Sequence, residues 1–271
     1  MRWSPAALSG LLLVATVARA ANDPFQVKVL VSISPCQDAP AAIVKNVSKG
    51  RTASCEAASA LCESVDAELQ ASARKFCPLT CRLCKVVAHE HFTLKVQPEW
   101  APAAAARFRE MVEAGVLNGM RFWKVTVDRD GEPEAAHFGV SGYPVVNKGL
   151  WTRQLKAEAV LRPGGNEKGT LAFKNLELVA QFPAQMILNL RHNTMIQYNT
   201  HGYQDNAPFA EITTLKGLDV ARRLFSGYKD NVNQGAYMTY GEEYVLSNFP
   251  KASLIVSAKV LKKKSDKSAE L

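Results

Sequence analysis

The residues best suited to chemistry by type and spacing are six cysteines, at positions 36, 55, 62, 77, 81 and 84. The chain has no others, and they end in the run Cys77-Pro-Leu-Thr-Cys81-Arg-Leu-Cys84. Two chemistries compete: oxidation to disulfides, or coordination of zinc by the Cys-x3-Cys-x2-Cys ending. Six thiolates do not suit one tetrahedral ion, and no histidine lies between Cys36 and Cys84. The even count therefore reads as three disulfides, which need an oxidising compartment. The first residues supply the route. Arg2 precedes the weakly polar run Ala6 to Val17, and Ala18-Arg19-Ala20 forms a small-x-small cleavage site. This is the pattern of a signal peptide, and the run is shorter than the roughly 20 apolar residues of a membrane span. Cleavage after Ala20 and a soluble, secreted product without membrane attachment are expected. Residence in the ER lumen is the alternative, because the Glu270-Leu271 ending partly matches a retrieval signal.

Other reactive patterns are sparse. His89-Glu90-His91 alternates two histidines but lacks further ligands and reads as a polar linker. Gly164-Gly165 follows Pro163 and reads as a turn, not a phosphate loop. No Ser-His-Asp arrangement can be picked out, and no metal or cofactor is expected. The net charge is +8, of which Arg2 and Arg19 contribute two, leaving +6 after signal removal. Basic residues are spread along the chain instead of forming a face with stacking aromatics, which argues against nucleic-acid binding. Asn46-Val47-Ser48 is an acceptor sequon for N-glycosylation in a long inter-cysteine loop. The polar tail from Lys262-Lys263-Lys264 to Leu271 is expected to be disordered.

Positioning elements lie beyond the cysteines. Phe92, Leu94 and Val96 alternate with polar residues, as in a half-buried strand. Pro102 suits a first helical position, with Phe108, Met111 and Val112 on one helical face and Gly115 as the stop. Short apolar runs follow at 122–127, 170–173, 186–190 and 252–260, and Leu218, Ala221, Leu224 and Phe225 recur at helical spacing. Two helices among many short strands predict a barrel or sandwich with caps.

Two resemblances sharpen this. Cys36-Gln37-Asp38, the pair Cys55 and Cys62, and the ending with Thr80 before Cys81 resemble the ShKT domain, a small disulfide-stapled module. The resemblance implies the pairs Cys36–Cys84, Cys55–Cys77 and Cys62–Cys81, among which spacing alone does not choose. The tyrosine that accompanies the channel-blocking lysine of toxin members is missing between Cys36 and Cys84, so a structural or docking appendage is expected. Further on, Phe122-Trp123-Lys124-Val125, His137-Phe138-Gly139, Gly169-Thr170-Leu171-Ala172-Phe173, Gln185-Met186-Ile187-Leu188-Asn189, Ala207-Pro208-Phe209, Asn233-Gln234-Gly235 and Asn248-Phe249-Pro250 follow in order. That succession resembles a divergent branch of the cyclophilin-type peptidyl-prolyl cis-trans isomerases. It implies a mainly β fold, a closed eight-stranded antiparallel barrel capped by two helices, which binds proline-containing peptides or proteins on its outer face. The expected organisation is a signal peptide at 1–20, a linker at 21–35, the ShKT-like module at 36–84, a linker at 85–91, the cyclophilin-like domain at 92–262 and a basic tail at 263–271. A monomer is expected.

The reaction needs no nucleophile. Resonance sets a barrier of roughly 18–20 kcal/mol to rotation about the peptide bond, and a cation near the prolyl nitrogen weakens that conjugation. By resemblance Lys124 stands where the family has its catalytic arginine, and Gln185 where it has the glutamine that holds the peptide backbone. Met186, Ile187, Asn206, Phe209 and His137 fall at substrate-binding positions. Lysine keeps the charge but lacks the planar fork of donors. Either attenuated isomerase activity in the secretory pathway or non-catalytic peptide binding is expected.

Overall fold

The computed structural model describes residues 23–33, 44, 52–78, 80–83, 88–150, 155–156, 158–176, 180–193 and 206–262. The expected signal peptide at 1–20, Cys36, Asn46, Cys84 and the tail at 263–271 lie outside them.

Alternation builds the first strand. Phe25, Val27, Val29, Val31 and Ile33 point to the core, while Gln26 and Lys28 are exposed, giving β1 (Phe25–Ile33). β1 pairs antiparallel with β2 (Ala88–Val96) from Phe25 opposite Val96 to Ile33 opposite Ala88. On its other side it pairs with β9 (Leu254–Val260). Within the stretches expected as linkers, residues 25–33 and 88–91 are strand: 25–33 buries five apolar side chains, and 88–91 pairs with it in the backbone ladder. His89-Glu90-His91 is part of β2, and Glu90 accepts two 2.6 Å hydrogen bonds from Arg223. The Arg223 hydrogen bonds hold the Glu90 carboxyl below the ordinary carboxylate range.

The remaining strands are β3 (Lys124–Val127), β4 (Pro133–Phe138), the two-residue β5 (Leu155–Lys156), β6 (Thr170–Leu176), β7 (Ala180–Asn189) and β8 (Pro208–Ile212). Eight run in the order β3-β4-β7-β6-β8-β2-β1-β9, all antiparallel, and β5 attaches to β7. The expectation of a closed barrel is corrected: the sheet curls into a half-barrel that stays open between β3 and β9. Residues 119–123 run as turn and single bridge there instead of strand. The edges still meet, since Gly119 N donates to Ile255 O, Ile255 N to Met120 O and Phe122 N to Ser253 O, each at 2.8 Å.

The concave side holds the main core. Phe209 lies between Phe173 and Phe108, with ring centroids 5.3 and 5.1 Å away. Phe108 comes from α2 (Pro102–Glu113), whose first-turn amides of Ala103 and Ala104 donate to the Glu158 carboxylate at 2.8 and 2.9 Å. A carboxylate at a helix N-terminus satisfies otherwise unpaired donors. The second expected cap, α4 (Leu215–Arg222), is N-capped by Thr214 and packs on β2. Two further helices, α3 (Pro144–Leu150) and α5 (Gln234–Asn248), pack together outside the sheet. α5 is broken at Gly241, whose φ of 66° lets it approach the Gly142 carbonyl, where a Cβ would sit 2.2 Å away.

Between β1 and β2 the cysteine segment forms α1 (Ala67–Phe76), N-capped by Asp66, after a short 3-10 turn at Ser59–Glu63. Disulfides Cys55–Cys77 and Cys62–Cys81 staple it, each with Cα atoms 5.2 Å apart. These are two of the three pairs the ShKT resemblance implies. Val44, Cys55, Ala58 and Cys77 make its own small core, so cross-links replace apolar bulk that so short a segment lacks. Disulfides of this kind suit an oxidising compartment. No helix among the described residues is long and apolar enough to cross a membrane.

Candidate functional site

Strand alternation decides which expected site residues can meet. Val125, Ala136, Phe138, Met186, Leu188, Leu171 and Phe173 all belong to the main core. Their sequence neighbours therefore face the convex side. There the ladders align one row across four strands: Lys124 opposite His137, His137 opposite Ile187, and Ile187 opposite Ala172. Ile187 and Ala172 are buried yet join neither core cluster, as befits apolar residues on the outer face. Gln185 lies two residues from Ile187 on the same face.

Three expected site residues thus share a row and a fourth adjoins it. Met186 and Phe209 do not join them. Both are fully buried in the concave core, because Met186 alternates with Gln185 and Ile187, and Phe209 stacks on Phe173. Asn206 is buried with a φ of 59° just before β8. Glu134 sits beyond the row, with its carboxylate 3.3 Å from Arg191.

The row is tightly supported. Trp123 N donates to His137 O at 3.1 Å, and their rings lie 5.9 Å apart. β4 approaches β7 closely through Gly139, where a Cβ would stand 1.9 Å from the Ala184 carbonyl oxygen. Gln185 Nε2 donates to Gln234 Oε1 at 3.2 Å. Gln234 starts α5, which Asn233 caps by accepting from Ala236 N at 2.9 Å. Local sequence thereby explains the Asn-Gln-Gly signature: the asparagine starts the helix and the glutamine meets the sheet.

Burial and charge set the electrostatics. His137 is 9% exposed, and burial, then the charges of Lys124 and Lys174, push its imidazole down to about 3. It is neutral at physiological pH. Lys174, half-buried next to Phe173 on β6, is pushed down by burial and by Lys124. Among the described residues, His137 Nδ1, Trp123 Nε1 and Gln185 Oε1 are buried without a hydrogen-bond partner, which is uncommon for buried polar atoms. Ile187 is 3% exposed and Gln185 fully covered. The half-buried lysines are what solvent meets first.

Sequence reasoning misses Lys174 and the docking role of Gln234. The apolar run at 170–173 stops one residue short of the lysine, although alternation past Phe173 points to it. Asn233 followed by Gln234 carries a helix-start signal that finds α5.

No family model matches the chain, and no curated protein does. Among solved structures the chain is similar to a cyclophilin from Hirschia baltica, with 14% identity and a TM-score of 0.39 over 65% of this chain and 72% of that one. It is also similar to a cyclophilin type peptidyl-prolyl cis-trans isomerase from Cryptosporidium parvum, with 9% identity and a TM-score of 0.42 over 64% and 93% of the two chains. The same Cryptosporidium protein in the presence of the dipeptide Ala-Pro gives 9% identity and a TM-score of 0.43 over 64% and 94%.

Proposed function

We propose that the chain is a cyclophilin-type protein of the secretory pathway that binds proline-containing segments on its convex sheet face and isomerises X-Pro bonds weakly. One observation carries this reading: the ladders put Lys124, His137 and Ile187 in one outer row beside Gln185. In the proposed complex the Lys124 ammonium lies near the prolyl nitrogen. A hydrogen bond to that nitrogen removes lone-pair density from the amide and favours the twisted state. Ile187 forms the apolar floor beneath the proline ring, and Gln185 reaches the peptide backbone once its contact with Gln234 opens. His137, neutral and buried, spaces the cation from the apolar residue.

Weak catalysis follows from the same residues. An ammonium on a flexible stem is less preorganised than a guanidinium, and Gln185 is tied to Gln234 beneath the surface. The near-complete cover of Ile187 favours a second reading, in which the face binds protein without catalysis.

Exchange NMR on a proline tetrapeptide with catalytic amounts of the mature protein separates the two. We expect cis–trans exchange faster than the uncatalysed process, which takes roughly tens to hundreds of seconds. Peptide binding with an unchanged exchange rate would instead favour the scaffold.

A further inference from the structure

Gln185 sits in a state that peptide binding alone does not account for. Its side chain is fully covered, with one end of the amide tied and the other idle. Nε2 donates to Gln234 Oε1 at 3.2 Å, whereas Oε1 is buried without a hydrogen-bond partner. A buried acceptor left unpaired carries a desolvation cost, so this arrangement does not satisfy the amide. Gln234 is only half-buried, and its own Nε2 meets Met238 Sδ at 3.8 Å, a weak acceptor. The backbone that carries Gln234 is fixed. Asn233 caps that turn, and Tyr237, one turn on, is fully buried in the cluster that includes Trp123, Val140 and Val245. The exchange open to the two glutamines is therefore one of side-chain rotamers and not a movement of the helix.

Resting on the peptide-binding reading above, we infer that Gln234 is a latch on the proposed peptide site: it holds Gln185 closed at the start of α5 until a peptide backbone takes its place. In the closed state the Gln185 amide has one hydrogen bond. Against a peptide, Oε1 accepts from a backbone N–H while Nε2 donates to a backbone C=O, and both ends are satisfied. That difference in pairing is what lets a ligand shift the equilibrium between the two states. Apparent affinity falls with the fraction of molecules in which Gln185 is released. Gln234 is thus a positioning residue, which acts through Gln185 and touches no substrate itself.

The test titrates the isotope-labelled protein and its variants with Ala-Ala-Pro-Phe, following amide shifts. Gln234→Ala removes the acceptor, and the loss of one neutral hydrogen bond from the closed state should tighten binding about two- to tenfold. Gln234→Glu keeps an acceptor of the same reach, now charged, and should bind the peptide no better than the parent. In a Gln185→Ala background, Gln234→Ala should leave affinity unchanged, because nothing remains to be released. In the parent, the nuclear Overhauser contact between the Gln185 and Gln234 side chains should vanish at saturating peptide. Equal affinities in the parent and Gln234→Ala overturn the latch and leave the peptide-binding reading intact. A gain in Gln234→Glu, a gain that persists without Gln185, or a side-chain contact that survives saturation overturns it as well. Failure of every form to bind the peptide overturns both.

Discussion

At the scale of single residues, the two decisive side chains are Lys124 and His137. Lys124→Arg restores a rigid fork of donors at the proposed catalytic position. One charge-assisted hydrogen bond is worth roughly 1.5–3 kcal/mol, so the isomerisation rate should rise by at most about ten- to hundredfold. Lys124→Ala should remove the catalysed component. If both variants match the parent in the exchange assay, Lys124 plays no part in catalysis. His137 gives a stability prediction with a definite sign. Its native pKa of about 3 lies below the ordinary 6.5, so between these values the unfolded chain binds a proton that the native chain does not. The contribution is fully present above pH 6.5 and is lost as pH falls towards 3. From pH 7 to 5 this amounts to about 2 kcal/mol at most. Urea unfolding at both pH values should show the parent losing more stability than His137→Gln, and equal losses would contradict the buried neutral imidazole.

At the scale of elements, β1 shows what the sequence makes legible and what hides it. Phe25, Val27, Val29, Val31 and Ile33 alternate plainly, yet the strand sits between the expected leader and a cysteine cluster. Its partner β2 begins only after residues 34–87, so local patterning gives no sign that the two pair. The first cap, α2, is legible because proline, apolar face and glycine stop all agree. The open seam is not legible, because it depends on how residues 119–123 meet β9, a long-range matter. The site divides the same way. Alternation alone separates Ile187 from Met186, whereas bringing Lys174 towards Lys124 requires the β4–β7–β6 ladders. A chain beginning at Phe92, which a boundary at the end of the cysteine module suggests, lacks the strand between β2 and β9. Each of its five buried side chains contributes roughly 1.5–3 kcal/mol, against a typical net stability of roughly 5–15 kcal/mol. Circular dichroism and thermal melting should find that chain unfolded. A cooperative melt like the parent's would refute the place given to β1.

At the scale of the whole molecule, the cysteine module is an insertion into the β1–β2 hairpin. It leaves the sheet at the Ile33–Ala88 end. The peptide row reaches β6 at Ala172, which pairs with Pro208 of β8, and β8 meets β2 near Val96, the opposite end of that hairpin. The module and the proposed site therefore occupy different ends of the strands. The central claim is that the convex row meets the peptide. The most direct measurement is backbone amide mapping of the protein with a saturating proline tetrapeptide. Shifts should centre on Lys124, His137, Gln185 and Ile187 and leave the module around Cys55 and Cys77 unmoved. Shifts confined to the module, or to the β1–β9 side of the sheet, would contradict the account.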